Sequence, residues 1–373
     1  MSGDIAFVPT TVGIIFGGVG PEHGVSCLSA RSIARTLEER GFNLLCIGVS
    51  TSGHWFYVSP EIVKNYSIVG GSMPSVSATG ESVTLHLDPL GPGFLVGATF
   101  MPCEIVFPII HGIGGEDGRL QGLLETAGIA YVGSGIEASA ICMNKVTAKR
   151  LVQSIGVETG SWISVNIREA SGSPVFDSMS VWNHFGGSAI FIKPVSGGSS
   201  AGISHVSTQE DLDKAFAAAM QFSDLLIVEK GVTKPRELEV AILETSGGVK
   251  ASPVGEIKVH SEFEFYDFEA KYLSDGAELV TPAELEPALA EYIRSTAIEV
   301  FRTLGCRDYA RVDFFLNEDS QLIFNEINTV PGFTSISMYS RMWAAGGIDF
   351  PDLVCQLVGN AAARSTSTPD VDS

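Results

Sequence analysis

Basic residues are scarce in this chain: 23 Lys and Arg stand against 43 Asp and Glu, a formal net charge of −20. That balance argues against a general nucleic-acid or anionic-membrane binder, since either needs a basic surface. It also means that an anionic ligand has to be met by a few well-placed cations. Cysteine is sparse as well: six scattered thiols with no C-x-x-C pair and no metal-ligand spacing, a pattern expected of reduced, mostly buried cysteines in the cytosol. No apolar stretch approaches membrane-spanning length, and the N-terminus lacks a basic segment followed by an apolar run. The expectation is a soluble, cytoplasmic protein. Two nucleotide fingerprints are also missing. The first glycine loop does not fit G-x-G-x-x-G, and no G-x-x-x-x-G-K-[ST] is present.

What is present is a globular α/β chain. Its 373 residues, 45% apolar with 41 glycines, suffice for two or three domains with substantial cores and many tight turns. Thr11 to Phe16 reads as a buried strand leading into Gly17-Gly18-Val19-Gly20-Pro21-Glu22-His23-Gly24, and a helix follows to about Arg40, stopped by Gly41. Asn43 to Val49 is the next strand. Strand, glycine loop, helix and strand begin a doubly wound sheet, in which ligands sit beyond the carboxyl ends of strands. Glu22 at the loop mouth suits a substrate ammonium; a first-turn acid favouring the helix dipole is the competing reading. Residues 59–95 look like an insertion holding one hairpin. Cys103 to Ile110 is another buried strand, running into the polar glycine loop His111 to Arg119, so two loops can converge on one sheet edge. His111 is either a structural hydrogen-bonder or part of the site.

Glu137 to Ile155 reads as one helix carrying Met143-Asn144-Lys145, near a domain boundary at 135–145. Ala189 to Lys193 is a strand, followed by a Ser/Gly loop, 194–202, whose open backbone can approach phosphate closely. Lys145 and Lys193 supply the cations that the net charge makes worth seeking. Thr208 opens a helix with a capping box to Asp211. Glu237 to Leu243 alternates; Glu237 and Glu239 on one face suit ribose hydroxyls, with strand-face acids of the usual solvated kind as the ordinary reading. The acidic and aromatic segment 261–282 has no clean period and reads as a lid, with Lys271-Tyr272 reaching inward. After a long helix, Glu284 to Leu304, come a strand with Arg311 and Asp313 on one face, the turn 317–320, and a strand from Leu322 with Glu326 and Asn328 on one face. Paired as a hairpin, they set an arginine beside two carboxylates and an amide, a set suited to Mg²⁺ holding a polyphosphate. Beyond 360 the Ser/Thr/Asp-rich residues read as a disordered tail.

Together the segments GGVGPEHGVS (17–26), HGIGGEDGRLQGLLE (111–125), YVGSGIEASAICMNK (131–145), IKPVSGGSSAGIS (192–204), RELEVAIL (236–243), FYDFEAKYL (265–273), ARVDFF (310–315) and NEINTVPGFTSISMY (325–339) resemble the D-alanine–D-alanine ligases of the ATP-grasp superfamily. The resemblance spans roughly 11–360. It implies an α/β and α+β architecture: a Rossmann-like N-terminal domain (1–137), a central ATP-grasp subdomain (138–235), a C-terminal one (236–362) and a tail (363–373). It further implies ATP-dependent joining of two D-alanines through an acyl phosphate for peptidoglycan precursors, with two Mg²⁺ or Mn²⁺, in a homodimer. Asp313, Glu326 and Asn328 match the metal ligands, and Arg311 the arginine facing the transferred phosphoryl. Lys145, Lys193 and Lys271 match lysines on ATP phosphates, and Ser200 lies in the phosphate loop. Glu229, Lys230 and Val232 match the hinge beside adenine, and Glu237 the ribose acid. Glu22 matches the holder of the first substrate's ammonium, with His111 in its subsite and Ser199 and Tyr272 as its hydrogen-bond partners. Ser337, with the Gly332 backbone, matches the anchor of the second carboxylate. Two positions depart from the family pattern, Asn144 for an aspartate and Ala201 for a larger residue. The lid's Glu269-Ala270-Lys271-Tyr272 resembles that of dipeptide formers, so D-alanine is expected in both subsites. Competing readings are a relative using D-serine, D-lactate or another amino acid second, and a non-catalytic nucleotide-binding protein.

Overall fold

A computed structural model describes residues 10–88, 91–167, 177–198, 202–259 and 277–365. Ser199, Ser200, Ala201, Lys271, Tyr272 and most of the proposed lid lie outside the described residues. The chain forms two compact units. One holds the described residues of Met1–Ile136, Glu244–Gly248 and Val330–Ser373, the other those of Glu137–Leu243 and Val249–Thr329.

In the first unit, strands β1 (Thr11–Gly17), β2 (Asn43–Val49) and β3 (Trp55–Tyr57) are followed by a three-stranded antiparallel meander. The meander consists of β4 (Val83–His86), β5 (Gly93–Val96) and β6 (Thr99–Pro102), one strand more than the hairpin expected for this insertion. Then come β7 (Ile105–Pro108) and β8 (Ala130–Tyr131), giving a five-stranded sheet ordered β3-β2-β1-β7-β8. β1 pairs in parallel with both β2 and β7, so the order reverses at β1. That reversal sets the loops leaving β1 and β7 side by side at the carboxyl edge, where open α/β sheets bind ligands. Val12, Ile14, Ile15 and Phe16 are fully buried, as a central parallel strand covered on both faces requires. The helix His23–Glu39 covers this sheet through Ala30, Ile33 and Leu37 and ends where Gly41 takes φ +84°. The final helix, Phe350–Ser365, belongs to this unit and continues past residue 360, where composition alone places the start of a tail. Arg364 explains the extra turn, since its Nη2 donates to Tyr131 O at 2.8 Å.

The second unit contains two antiparallel sheets. β9 (Trp162–Asn166), β10 (Ile190–Pro194), β11 (Ser204–Val206) and β12 (Leu225–Lys230) form one, ordered β11-β10-β12-β9. The other contains β13 (Arg236–Thr245), β14 (Gly248–Ala251), β15 (Gly255–Val259), β16 (Ala277–Val280), β17 (Tyr309–Leu316) and β18 (Leu322–Asn328), ordered β16-β15-β13-β17-β18 with β14 on β13. Leu238, Val240 and Ile242 of β13 and Val312 and Phe314 of β17 pack on Ile293, Ala297 and Val300 of the helix Pro287–Thr303.

Two local expectations fail for identifiable reasons. Thr208 does not cap backbone: its Oγ1 donates to the Asp211 carboxylate at 2.9 Å, and a short 3₁₀ turn, Gln209–Asp211, precedes the helix Leu212–Ala219. The single helix read over 137–155 is two, Ile136–Met143 and Lys145–Ser154. Asn144 breaks it by taking an extended conformation, and its Oδ1 accepts from the Thr147 N–H at 2.9 Å as an N-cap. The break is held by a bridge to Ser196 and by Lys145 N–H donating to Val195 O at 2.9 Å. Asn144→Ala is therefore expected to lower unfolding stability by about 1 kcal/mol, measured in urea, because the cap is lost. Asn144→Asp is expected to retain it, since aspartate caps equally well. Among the described residues no helix is long and apolar enough to cross a membrane.

Candidate active site

The hairpin of β17 and β18 is the foundation of the site in the second unit. Arg311 lies opposite Asn328 and Asp313 opposite Glu326. Plain alternation does not produce this face. Leu322 and Phe324 are core residues, so an unbroken strand would send Glu326 inward with them. A register shift after the Asp313–Glu326 pair brings Phe314 opposite Phe324, leaving Asn325 as the extra residue of a bulge. The bulge turns Glu326 and Asn328 to the face carrying Arg311 and Asp313.

On that face the Arg311 guanidinium donates to both Asp313 oxygens, Nε to Oδ1 and Nη2 to Oδ2, each at 2.7 Å. Arg311 Nε also lies 3.2 Å from Glu239 Oε1. Asn328 Nδ2 donates to Asp313 Oδ2 at 2.9 Å, which leaves Oδ1 as the amide atom that could meet a metal. Lys145 Nζ donates to Gly197 O at 2.8 Å and stands 3.6 Å from Glu326 Oε2. Two carboxylates and an amide oxygen are hard donors that suit Mg²⁺ or Mn²⁺. Among the described residues no group of three or more His, Cys, Asp or Glu is placed to hold a metal. The set fits a divalent ion whose remaining ligands are phosphate oxygens and water, the usual arrangement for Mg²⁺.

Glu239 corrects one reading. It is 5% exposed rather than solvated, because β13 is an interior strand flanked by β15 and β17 and Glu239 sits opposite Asp313. Glu237, two residues earlier on the same strand, is partly exposed and contributes to the field at Lys193.

The neighbouring sheet supplies the second lysine. Glu229 on β12 accepts from two ammonium groups, Lys193 Nζ at 2.6 Å from Oε2 and Lys149 Nζ at 2.8 Å from Oε1. Burial alone would raise the Glu229 carboxyl, but the two lysines together more than offset it and hold the group well below the usual carboxylate range. For Lys193 burial works against the charge, yet Glu229, Glu326 and Glu237 outweigh it and raise its pKa. Lys149 was not singled out in the sequence. A lysine at helical spacing from Lys145 reads as a solvated side chain, and nothing local marks it as buried. Lys230 ends β12, and Val232 follows beyond Gly231, whose N–H donates to Ala189 O at 2.8 Å.

The first unit holds the remaining described candidates. Ser26 ties the loops after β1 and β7 together: its Oγ accepts from Gly17 N–H at 2.7 Å and donates to Ile109 O at 2.6 Å. Glu22 occupies the N-cap position of the helix His23–Glu39 without a side-chain capping bond, a position that also suits the helix dipole. Its carboxylate lies near the second loop: a Cβ built on Gly112 would be 3.8 Å from Glu22 Oε2. His111 is buried, donating through Nδ1 to Val330 O at 2.8 Å, with Nε2 facing Ser29 Oγ at 3.4 Å. Its ring thus supports the segment leading to Gly332. Glu116, also missed in the sequence, does the same: Oε1 accepts from Gly112 N–H at 2.7 Å and Oε2 from Val330 N–H at 3.0 Å. Ser337 is half-buried at the start of the helix Met338–Ala345, its Oγ accepting from Thr334 N–H at 3.0 Å.

The family models for the D-ala D-ala ligase N-terminus and C-terminus match residues 11–134 and 151–359. A D-alanine--D-alanine ligase from Mycobacterium sp. strain KMS is 43% identical over 372 residues, covering 96% of this chain and 97% of the relative. The chain belongs to the D-alanine–D-alanine ligase family. Two solved structures agree on the fold. The D-alanine-D-alanine ligase from Coxiella burnetii has a TM-score of 0.80 at 30% identity, covering 96% of this chain and 95% of that one. The VanG D-Ala:D-Ser ligase from Enterococcus faecalis also reaches 0.80, at 29% identity, covering 95% and 100%. The architecture is that of the ATP-grasp ligases. Within this ligase family fold, Glu22, His111, Gly332 and Ser337 fall in the first unit, and Arg311 with the described candidates for nucleotide and metal in the second.

Proposed function

We propose that this chain joins two D-alanines into D-alanyl-D-alanine at the expense of ATP, through an acyl phosphate, in the supply of peptidoglycan precursors. The observation that carries this reading is the bulged hairpin, which gathers Arg311, Asp313, Glu326 and Asn328 on one face with Lys145 beside Glu326. A binding protein without chemistry has no need of that full set.

Glu22 receives the ammonium of the first D-alanine, leaving its carboxylate as the nucleophile toward the γ-phosphorus of ATP. Lys145 and Lys193 hold phosphate oxygens, and Lys271 adds a third cation. Asp313, Glu326 and Asn328 would hold two Mg²⁺ or Mn²⁺; bound metal offsets the polyphosphate charge and polarises the phosphoryl group. Arg311 presents a planar, permanently charged guanidinium to the oxygens of the moving phosphoryl and then to the oxyanion formed when the second amine attacks the acyl phosphate. Ser337 Oγ and the Gly332 N–H receive the second carboxylate. Glu229, Lys230 and Val232 line the adenine, Glu237 takes the ribose, Ser200 lies on phosphate, and Ser199 and Tyr272 complete the hydrogen bonding at Glu22. Exclusion of water protects the hydrolysable intermediate. The same reading carries a homodimer acting in the cytoplasm.

Release of ADP from ATP that requires both D-alanine and Mg²⁺ is the expected result. ATP binding without such release would instead favour a nucleotide-binding protein. With D-alanine, D-serine and D-lactate compared as second substrate, D-alanine is expected to turn over fastest. Faster turnover with D-lactate near neutral pH would overturn the assignment of the second subsite.

A further inference from the structure

Lys149 has no part in the mechanism above, yet it is among the most deeply buried charges in the second unit, 2% exposed. It lies one helical turn after Lys145, four residues on and so on the same side of the helix Lys145–Ser154. All three of its N–H donors have acceptors: Glu229 Oε1 at 2.8 Å, Phe324 O at 3.2 Å and Thr159 O at 3.3 Å. An ammonium used up in this way has no donor left for a phosphate. Its effect has to be exerted through Glu229, whose other oxygen is the partner of Lys193 at 2.6 Å.

The charges decide what that effect is. Lys149, Glu229 and Lys193 sum to one positive charge. Without Lys149, Glu229 and Lys193 would form a closed neutral pair, and the carboxylate would compete with phosphate for the ammonium. A buried carboxylate shared between two lysines grips each less than a lone partner, because its attraction is divided. Burial draws Lys149 below the ordinary lysine range, so its charge depends on Glu229 being ionised, and the two stand together.

We propose that Lys149 is a positioning residue for the nucleotide: it occupies one oxygen of Glu229 and supplies the counter-charge that leaves Lys193 able to hold a phosphate. The proposal rests on the ATP-dependent reading of the site. It differs from a packing role, in which Lys149 would fill space between the helix Lys145–Ser154 and β18.

Four forms of the full chain separate the two roles: the parent, K149M, K149M/E229Q and K193M. The readouts are the Kd for ATP by titration, the KM for ATP, kcat and Tm. Methionine keeps the volume of the lysine stem while removing the charge. K149M is expected to weaken ATP binding by about ten- to a hundredfold, on the scale of one partly screened charge, with kcat changed much less. K193M is expected to bind ATP as weakly as K149M or more so. Both side-chain oxygens of Glu229 are taken by Lys149 and Lys193, so its place beside adenine would be held by its backbone, which glutamine leaves intact; the double variant restores the single positive charge on Lys193 and is expected to recover most of the ATP affinity lost in K149M.

If the double variant binds ATP no better than K149M, the proposal is overturned and Lys149 is a packing residue. Should K149M fail to fold because Glu229 is left buried with half its compensation, the double variant still decides, since both partners of that pair become neutral. A folded double variant with near-parent Kd supports the proposal, and one as weak as K193M overturns it. ATP binding by the parent without D-alanine-dependent ADP release would end the ligase reading, while the Kd comparison would still settle Lys149.

Discussion

Glu326→Gln is expected to lower kcat by three orders of magnitude or more, a loss of about 4 kcal/mol of transition-state stabilisation. Glutamine keeps the size and one oxygen of the side chain but loses the charge that Glu326 would supply to bound metal. Structurally the change is mild. Glu326 is half-buried, and its Lys145 partner at 3.6 Å also donates to Gly197 O. Circular dichroism and Tm should therefore stay close to the parent. Near-parent activity would refute the assignment of Glu326 as a metal ligand.

Arg311→Lys carries the second large effect. The positive charge is retained, but the fork that donates to both Asp313 oxygens at 2.7 Å and lies 3.2 Å from Glu239 is lost. Stabilising arginines in phosphoryl transfer are worth about 10³–10⁵ in rate, and lysine keeps part of that, so a fall in kcat of about 10²–10⁴ is expected. KM for ATP should move far less, because in the proposed site Lys145 and Lys193, not Arg311, meet the ground-state phosphates. A stability loss of about 1–3 kcal/mol is expected as well, from the buried Glu239 whose cation no longer reaches it in the same way. A variant with unchanged kcat but raised KM would place Arg311 in ATP binding rather than at the reacting oxygens.

The sequence made the α/β alternation legible because each element carries its own signal. Thr11 to Phe16 is continuously apolar, as a central parallel strand must be, and Gly41 and Gly305 mark helix ends at positive φ. The candidate site residues were legible as a set because most stand on strands or glycine loops at family-like spacing. What stayed hidden depends on tertiary context. Glu239 reads as solvated until β13 proves to be interior, and Lys149 reads as a surface lysine until Glu229 is found beneath it. Glu116 lies in a loop whose polar residues all look alike, and its role appears only when Val330, far along the chain, arrives at its second oxygen. Asn144 is a subtler case. Its neighbours are good helix formers, and local propensity gives no warning that the Ser196 bridge makes the break worthwhile.

The extra residue at 325 has a consequence for any attempt to vary this enzyme. Strand parity makes side-chain direction a matter of counting, and the count between Phe324 and Glu326 carries one residue too many. Removing Asn325 would close the bulge and leave plain alternation, with Glu326 and Asn328 still on the face of Arg311 and Asp313, whereas removing Ile327 would turn Asn328 into the greasy interior. A design library or an ancestral reconstruction can place a gap at 325 and keep that face, but a gap two residues further on would keep the chemistry in its alphabet and lose it in space.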